Sequence, residues 1–289
     1  MRRLGAAVGG VLLLAACTVP AGTDGDLDDD WAAPPQPVSW RPDSGTCQRT
    51  GFTETVRLAG YAPVDCAREH LVETVHVGRV EGERLTVPPD GSAEQRAGYA
   101  ECLDRSTAFL GDDWRTGRLW LGVAMPSRDA WSGGARWFRC DLWEIRRKGD
   151  PAGVLRTGTL RDALRGGGLR HGCTTAAVKN GQVQSMSPVE CSRPHNAEFA
   201  GVYVAPDVPY PASRKDLDDL SVKGCRGVAA QFAAIPDDGD LYFRTGLITE
   251  PFSAREWERG NRGVLCHLWL SRSVSRSMKG AGPTVLPAN

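Results

Sequence analysis

Hydrophobic and polar positions follow a mixed strand and helix pattern, and the same order of elements occurs twice along the chain. In each half a short strand lies around one cysteine, and a second strand leads into another. A longer apolar strand, a helix and two final strands follow, because alternating and three-to-four-residue apolar spacing are typical of these elements. The longer predicted strands span 72–80, 119–124 and 136–143 in the first half and 198–205, 241–249 and 263–270 in the second.

Both predicted helices begin with a capping-box pattern, formed by Ser92 with Gln95 and by Ser213 with Asp216. Each helix then carries an apolar stripe that includes a cysteine. The stripes contain Tyr99, Cys102, Leu103, Ser106, Phe109 and Leu110 in one helix and Leu217, Leu220, Cys225, Val228 and Phe232 in the other. Runs of strands with one helix packed on them predict an α+β fold with a mainly antiparallel sheet in each half.

The cysteines indicate a tandem duplication. Eight of the nine fall into two sets of four, and each member of the second set follows its counterpart by about 125 residues. The sets are Cys47, Cys66, Cys102 and Cys140, and Cys173, Cys191, Cys225 and Cys266. We therefore expect two homologous disulfide-bonded domains at 44–146 and 170–272, with a linker at 147–169 and a flexible tail at 273–289. The linker is either a plain connector or a short element packed between the domains.

Four cysteines in a domain allow three pairings, and the spacing alone does not choose among them. We favour the first cysteine with the second and the third with the fourth, which ties the helix to the last strand. The nested alternative joins the first with the fourth and the second with the third. In either case a bridge stabilises its domain by about 2–4 kcal/mol.

The ninth cysteine, Cys17, ends a segment that is typical of a bacterial lipoprotein signal. Arg2 and Arg3 precede an apolar stretch at 4–16 that is too short to cross a bilayer of about 30 Å as a helix. The final Leu-Ala-Ala-Cys predicts cleavage after residue 16 and attachment of a lipid to Cys17. Residues 17–43, acidic and rich in proline, are predicted to be a disordered tether from the outer face of the cytoplasmic membrane.

Charge and composition limit the partners and chemistry. The chain has 35 Lys and Arg against 35 Asp and Glu, and a predicted pI near 6.9, which argues against nucleic acid. We find no sequence signature of a cofactor, a resident metal or a catalytic group. Disulfides persist outside the cytoplasm, so the expected partner is an unidentified envelope protein or a cell-wall component.

One motif, Cys-x3-His-x2-Glu, occurs in both halves, with His70 and Glu73 in the first and His195 and Glu198 in the second. These are zinc-ligand types, and a free cysteine beside a base can be a nucleophile. The favoured interpretation is structural, with each histidine bonding the backbone or the nearby glutamate.

Two further groups have a structural and a functional interpretation. Asp112 with Asp113, and the acidic residues at 237–240, form either solvated turns or a calcium site. Trp114, Trp120 and Trp137 occur only in the first half and are predicted to lie in the core. Any that is exposed becomes a contact for a partner or a glycan.

The second half resembles the septum-formation domain of actinobacterial envelope proteins. The resemblance is carried by Pro188-Val-Glu-Cys191-Ser-Arg-Pro-His195 with Glu198, by the helical Cys225, and by Trp257, Gly260, Arg262, Cys266 and Leu268. The first half matches more loosely, because Glu69 stands where the second half has proline. The resemblance implies a membrane-anchored extracytoplasmic protein linked by name to cell division.

Together with this resemblance, the sequence predicts a non-catalytic, lipid-anchored factor of the cell envelope that binds an unidentified envelope or division protein or a cell-wall component. The link to septum formation is what the resemblance implies. The alternative is an envelope hydrolase or metalloprotein that uses the repeated Cys-His-Glu motif.

Overall fold

Two β-sheets, one from each predicted repeat, organise the described part of the chain, which comprises residues 39–150 and 152–288 of a computed structural model. Each sheet is mainly antiparallel and carries one long helix. The predicted α+β fold is confirmed. Within this described part, no helix combines the length and the apolar character needed to span a membrane.

The first repeat contains six strands and two α-helices. They are β1 (Thr46–Gln48), β2 (Thr55–Val56), β3 (Pro63–Val64), β4 (Val72–Arg79), α1 (Ala93–Leu110), β5 (Leu119–Pro126), α2 (Arg128–Ser132) and β6 (Trp137–Glu144). The sheet order is β2-β5-β6-β4-β1-β3. Every pairing is antiparallel except the short parallel contact of β2 with the end of β5.

The second repeat contains five strands and four α-helices. They are β7 (Cys173–Lys179), β8 (Gln182–Pro188), β9 (His195–Val204), α3 (Arg214–Ala233), α4 (Leu241–Arg244), β10 (Gly246–Pro251), α5 (Ala254–Glu258), β11 (Gly263–Val274) and α6 (Gly282–Val285). The sheet order is β10-β11-β9-β7-β8, and all four pairings are antiparallel.

The strand predicted from residue 241 begins later, because a short helix occupies its first residues. The Asp238 carboxylate accepts a 3.0 Å hydrogen bond from the Asp240 backbone N–H, which closes a turn before α4. In α4 the Leu241 side chain is fully buried whereas Tyr242 and Phe243 are exposed. The apolar run at 241–243 thus had the composition of a strand but not its alternation.

Both long helices begin where the capping boxes predict. Ser92 Oγ accepts a hydrogen bond from the Gln95 N–H at 3.2 Å, and Ser213 Oγ accepts one from the Asp216 N–H at 3.1 Å. The fully buried cysteine of each helix faces its sheet, as the apolar stripes predicted.

The hydrophobic core is shared between the repeats. The main cluster contains first-repeat side chains such as Trp114 and Leu121, together with Phe252 and Leu265 from the second repeat. Phe252 lies against Trp114 and Trp120, with ring centroids 5.5 and 5.6 Å apart. Apolar surface of one repeat is therefore removed from water by the other.

The segments expected to be a linker and a flexible tail both contribute to the core. Leu160 and Leu164 at 147–169 are fully buried in the main cluster, which matches the packed alternative for that segment. After β11, Met278 and Leu286 are buried in a second cluster beneath α3. This differs from the expected flexible tail. The Ser, Gly and Pro residues suggested flexibility, but the two apolar side chains between them fill the core.

Candidate functional site

The four disulfides join the first cysteine with the second and the third with the fourth in each repeat. The pairs are Cys47–Cys66, Cys102–Cys140, Cys173–Cys191 and Cys225–Cys266. This is the favoured pairing, and the nested alternative is wrong. In each repeat one bridge closes the opening strands, and the other joins the long helix to the last strand of the sheet, β6 or β11. Cys17 lies outside the described residues.

The histidine of each repeated motif is buried and forms a hydrogen bond with the backbone. The His70 side chain is fully buried, and its Nδ1 lies 2.8 Å from the Arg68 carbonyl oxygen. His195 is buried in the same way, with Nδ1 2.8 Å from the Arg193 carbonyl oxygen. Because a carbonyl only accepts, Nδ1 carries the proton, and Nε2 of each ring has no hydrogen-bond partner among the described residues.

The repeated glutamate holds a later segment of the chain. Glu73 Oε1 accepts a hydrogen bond from the Thr159 hydroxyl at 2.6 Å, and its Oε2 accepts one from the Leu160 N–H at 2.6 Å. Glu198 receives the same two bonds, each 2.6 Å long, from Ser277 and Met278. We call 159–160 and 277–278 the closing arms. The glutamates thus anchor the closing arms to their sheets.

In this geometry the motif has no free sulfur or unpaired carboxylate oxygen with which to bind a metal or attack a substrate. Cysteine sulfurs do lie near the glutamates, with Cys66 Sγ 3.9 Å from Glu73 Oε1 and Cys191 Sγ 4.0 Å from Glu198 Oε1. Each sulfur belongs to a disulfide, so it has no proton to donate and no thiolate to ligate zinc or attack a substrate. Both oxygens of each glutamate already accept hydrogen bonds, which supports the structural interpretation.

The acidic pairs considered for calcium are engaged by arginines. Asp112 contacts Arg170 at 2.7 Å, and Asp113 contacts Arg115 at 2.6 Å. In the second repeat, Asp237 lies 2.9 Å from Arg226. Guanidinium groups compete with a cation for the same oxygens, so the geometry favours ion-paired turns over a calcium site.

A cleft of about 300 Å³ lies between the repeats, and the sequence motifs did not predict it. One wall is the middle of β5, and the other is α5 with the residue that follows it. The lining comprises Phe52, Glu54, Gln95, Tyr99, Trp120, Leu121, Gly122, Val123, Trp143, Gly149, Asp150, Arg255, Glu256 and Arg259. Pockets of this size are typical of small-molecule and short-segment binding.

The aromatic side of the cleft is built on one face of β5. Phe52 stacks on Trp143 with ring centroids 4.7 Å apart, and its ring covers Gly122. A Cβ atom at position 122 would come within 2.4 Å of that ring, so only glycine permits this packing. Trp120 is partly exposed and lines the cleft, whereas Trp114 and Trp137 are buried. Trp120 is therefore the one of the three that a partner can contact.

Ion pairs bridge the two repeats at the rim of the cleft. Arg255 lies 2.7 Å from Glu54 and 2.9 Å from Asp90, and Arg259 lies 2.8 Å from Asp90. Burial alone would raise the pKa of Asp90, but hydrogen bonds and charges from Arg259 and Arg255 lower it overall. Burial raises the pKa of Glu256 on the cleft wall.

Taken together, fold and site define a disulfide-stabilised α+β protein built from two copies of one unit, with a cleft between them. The model of the septum-formation family matches residues 44–266, from just before Cys47 to Cys266, and the chain belongs to this family. Neither the curated proteins nor the solved structures provide a match to the chain.

Proposed function

We propose that this protein is a non-catalytic factor of the bacterial cell envelope, held by a lipid on Cys17 and exposed outside the cytoplasm, where it binds a partner during septum formation. The family supports the link to division. The proposed lipid anchor and extracytoplasmic location rest on the cysteine pairing. All eight cysteines of the repeats are in disulfides, which persist outside the cytoplasm, and Cys17 alone remains for the lipid.

A binding role fits the side chains better than a hydrolytic one. The repeated Cys-His-Glu motif is engaged in disulfides and in closing-arm hydrogen bonds. The cleft, by contrast, combines partly exposed aromatic rings with ion-paired charges at its rim, which is typical of a recognition surface.

The lipid anchor is tested by Cys17→Ala in the full chain, with Thr18→Ala as the matched control. We expect Cys17→Ala to leave the signal uncleaved or to release the protein into the medium, and Thr18→Ala to stay in the membrane fraction. Full membrane retention of mature Cys17→Ala protein would refute lipidation.

The role in division is tested by imaging a tagged copy in its bacterial host and by deleting the gene. We expect enrichment at the division site and delayed or misplaced septa in the deletion strain. A uniform peripheral signal together with normal division would contradict the proposal.

Thiol counting on the denatured, unreduced protein separates the binding role from the alternative enzyme. A binding protein with all eight repeat cysteines paired gives no free thiol from the repeats. Two or more free thiols per mature chain would support a cysteine-based metal site or nucleophile instead.

A further inference from the structure

One edge of β5 is open where it borders the cleft. Strand β6 pairs with β5 from Leu119 to Ala124, but on the other side β2 reaches only Met125 and Pro126. Within residues 39–150 and 152–288, no backbone hydrogen bond reaches the outer edge of β5 between 119 and 124. The middle of this strand therefore has a free edge.

The register shows which groups face that edge. Met125 N–H points outward, since it donates to the Glu54 carbonyl at 2.8 Å. Successive residues of a strand direct their N–H and C=O groups to opposite sides, so Leu121 and Val123 also present theirs outward. Both residues line the cleft. A short row of backbone donors and acceptors is thus directed into it.

Proteins usually block a free strand edge with charge, proline or a covering segment, because it pairs readily with another chain. Here the edge lies instead in a preformed cleft with aromatic side chains. Tyr99, whose side chain is 4% exposed, also lines this cleft. Unpaired polar groups in a concave site are a sign that a ligand completes them.

We propose that the cleft binds an extended peptide segment of a partner protein, which adds to β5 as a strand beside Leu121, Gly122 and Val123. This inference rests on the proposed binding role and specifies the chemistry of the partner. The added strand continues the row that β2 occupies at Met125 and Pro126. An edge of three residues spans about 7 to 10 Å, which a peptide of similar length covers.

The aromatic geometry favours a peptide over a glycan. A sugar ring needs an open aromatic face, but Phe52 and Trp143 cover each other in a stack. Trp120 packs against Trp114 and Phe252, with ring centroids 5.8 and 5.6 Å away. The remaining ring surface suits an apolar side chain, and the backbone row suits an amide chain.

Val123→Pro tests strand addition directly. Proline removes the N–H that points outward, and its ring occupies the open edge of β5. The pairing with β6 keeps all its hydrogen bonds, because the Val123 N–H faces away from β6. Val123→Ala is the matched control, since it keeps the N–H. Melting temperatures of both variants show whether each has folded.

The probes are peptides selected from a phage-displayed library of random 12-residue sequences against the full chain in detergent. We expect Val123→Pro to bind them at least about 10-fold more weakly, about 1.4 kcal/mol, and Val123→Ala to bind them almost as well as the wild type. In the wild-type protein, bound peptide should slow amide hydrogen exchange at Leu121 and Val123.

Equal binding by Val123→Pro, no slowing of exchange at those two amides, or a library without binders would each overturn the inference. Binding of an N-acetylglucosamine tetrasaccharide that Val123→Pro does not weaken would assign the cleft to a glycan instead. If the peptide-binding experiment fails but the tagged protein is enriched at the septum, the proposed function stands without this inference. If the cleft binds peptides but the deletion strain divides normally, the role in division is refuted and the cleft remains a peptide-binding site.

Discussion

Thr159 and Glu73 are 86 positions apart in the chain, and the Thr159 hydroxyl donates a 2.6 Å hydrogen bond to Glu73 Oε1. Ser277 and Glu198 form the equivalent bond at the same distance in the second repeat. The duplicated unit therefore continues past its last cysteine and includes a closing arm.

Removing the arm hydroxyls should weaken both repeats. Thr159→Val and Ser277→Ala each leave a carboxylate oxygen without its hydroxyl donor, so we expect each to lower the free energy of unfolding by about 1–2 kcal/mol. Urea unfolding measures the change. Ser275→Ala, at an exposed hydroxyl of the same segment, is the control and should be neutral. An unchanged midpoint in Thr159→Val would contradict the arm contact.

The segment after β11 should be needed for stability. Met278 is 2% exposed, so Met278→Ala creates a cavity beneath α3 and should cost about 2–4 kcal/mol in the free energy of unfolding. The adjacent Lys279 is exposed, and Lys279→Ala should change stability by less than about 0.5 kcal/mol. If the two variants unfold at the same urea concentration, the segment is not packed.

Mild acid should destabilise the protein through His171. Burial, and then the neighbouring His267, lower the pKa of His171 to about 4, although Glu250 opposes the shift. A base with a lowered folded-state pKa favours folding only while neutral. Stability should therefore fall as the pH drops below about 6.5 and level off near 4.

His171 is partly exposed, which screens the effect, so we expect a loss of about 1 kcal/mol between pH 7 and pH 5. Urea midpoints at the two pH values measure it in the wild type and in His171→Gln, which cannot be protonated. An equal loss in both proteins would assign the acid sensitivity to other groups.

The rim ion pairs should couple the repeats measurably. Arg259 is mostly buried against Asp90, so a double-mutant cycle with Asp90→Ala and Arg259→Ala should give a coupling energy of about 1 kcal/mol at low salt. High salt should reduce it. Arg214 and Asp218, an exposed pair on α3, are the control, with about 0.3–0.5 kcal/mol expected. No coupling between Asp90 and Arg259 would mean that the bridge is not formed.

Local features of the fold could be predicted from the sequence because each depends on nearby residues. Ser92 and Ser213 cap their helices as predicted, and the helical Cys102 and Cys225 pair with cysteines of the last strands, β6 and β11. The closing arms could not be recognised in the same way. Their preceding loops differ in length, so Thr159 and Ser277 fall outside the register that the cysteines define.

The cleft was beyond prediction for a different reason. Arg255 and Glu54 are 201 positions apart, and only the packing of one repeat on the other brings them together. Phe252 contributes to that packing, yet in the sequence it is a single aromatic residue without a motif. Trp120 is the better indication of the cleft in the sequence, because it has no counterpart in the second half and it lines the cleft.

Burial of Phe252 between Trp114 and Trp120 also has an evolutionary consequence. A gene duplication is at first reversible, since a redundant copy can be deleted without harm. Once a side chain of one copy completes the interior of the other, deletion of either copy exposes apolar surface that would promote aggregation. From that point selection acts on the pair as a single gene product, because a substitution in one copy changes the stability of both.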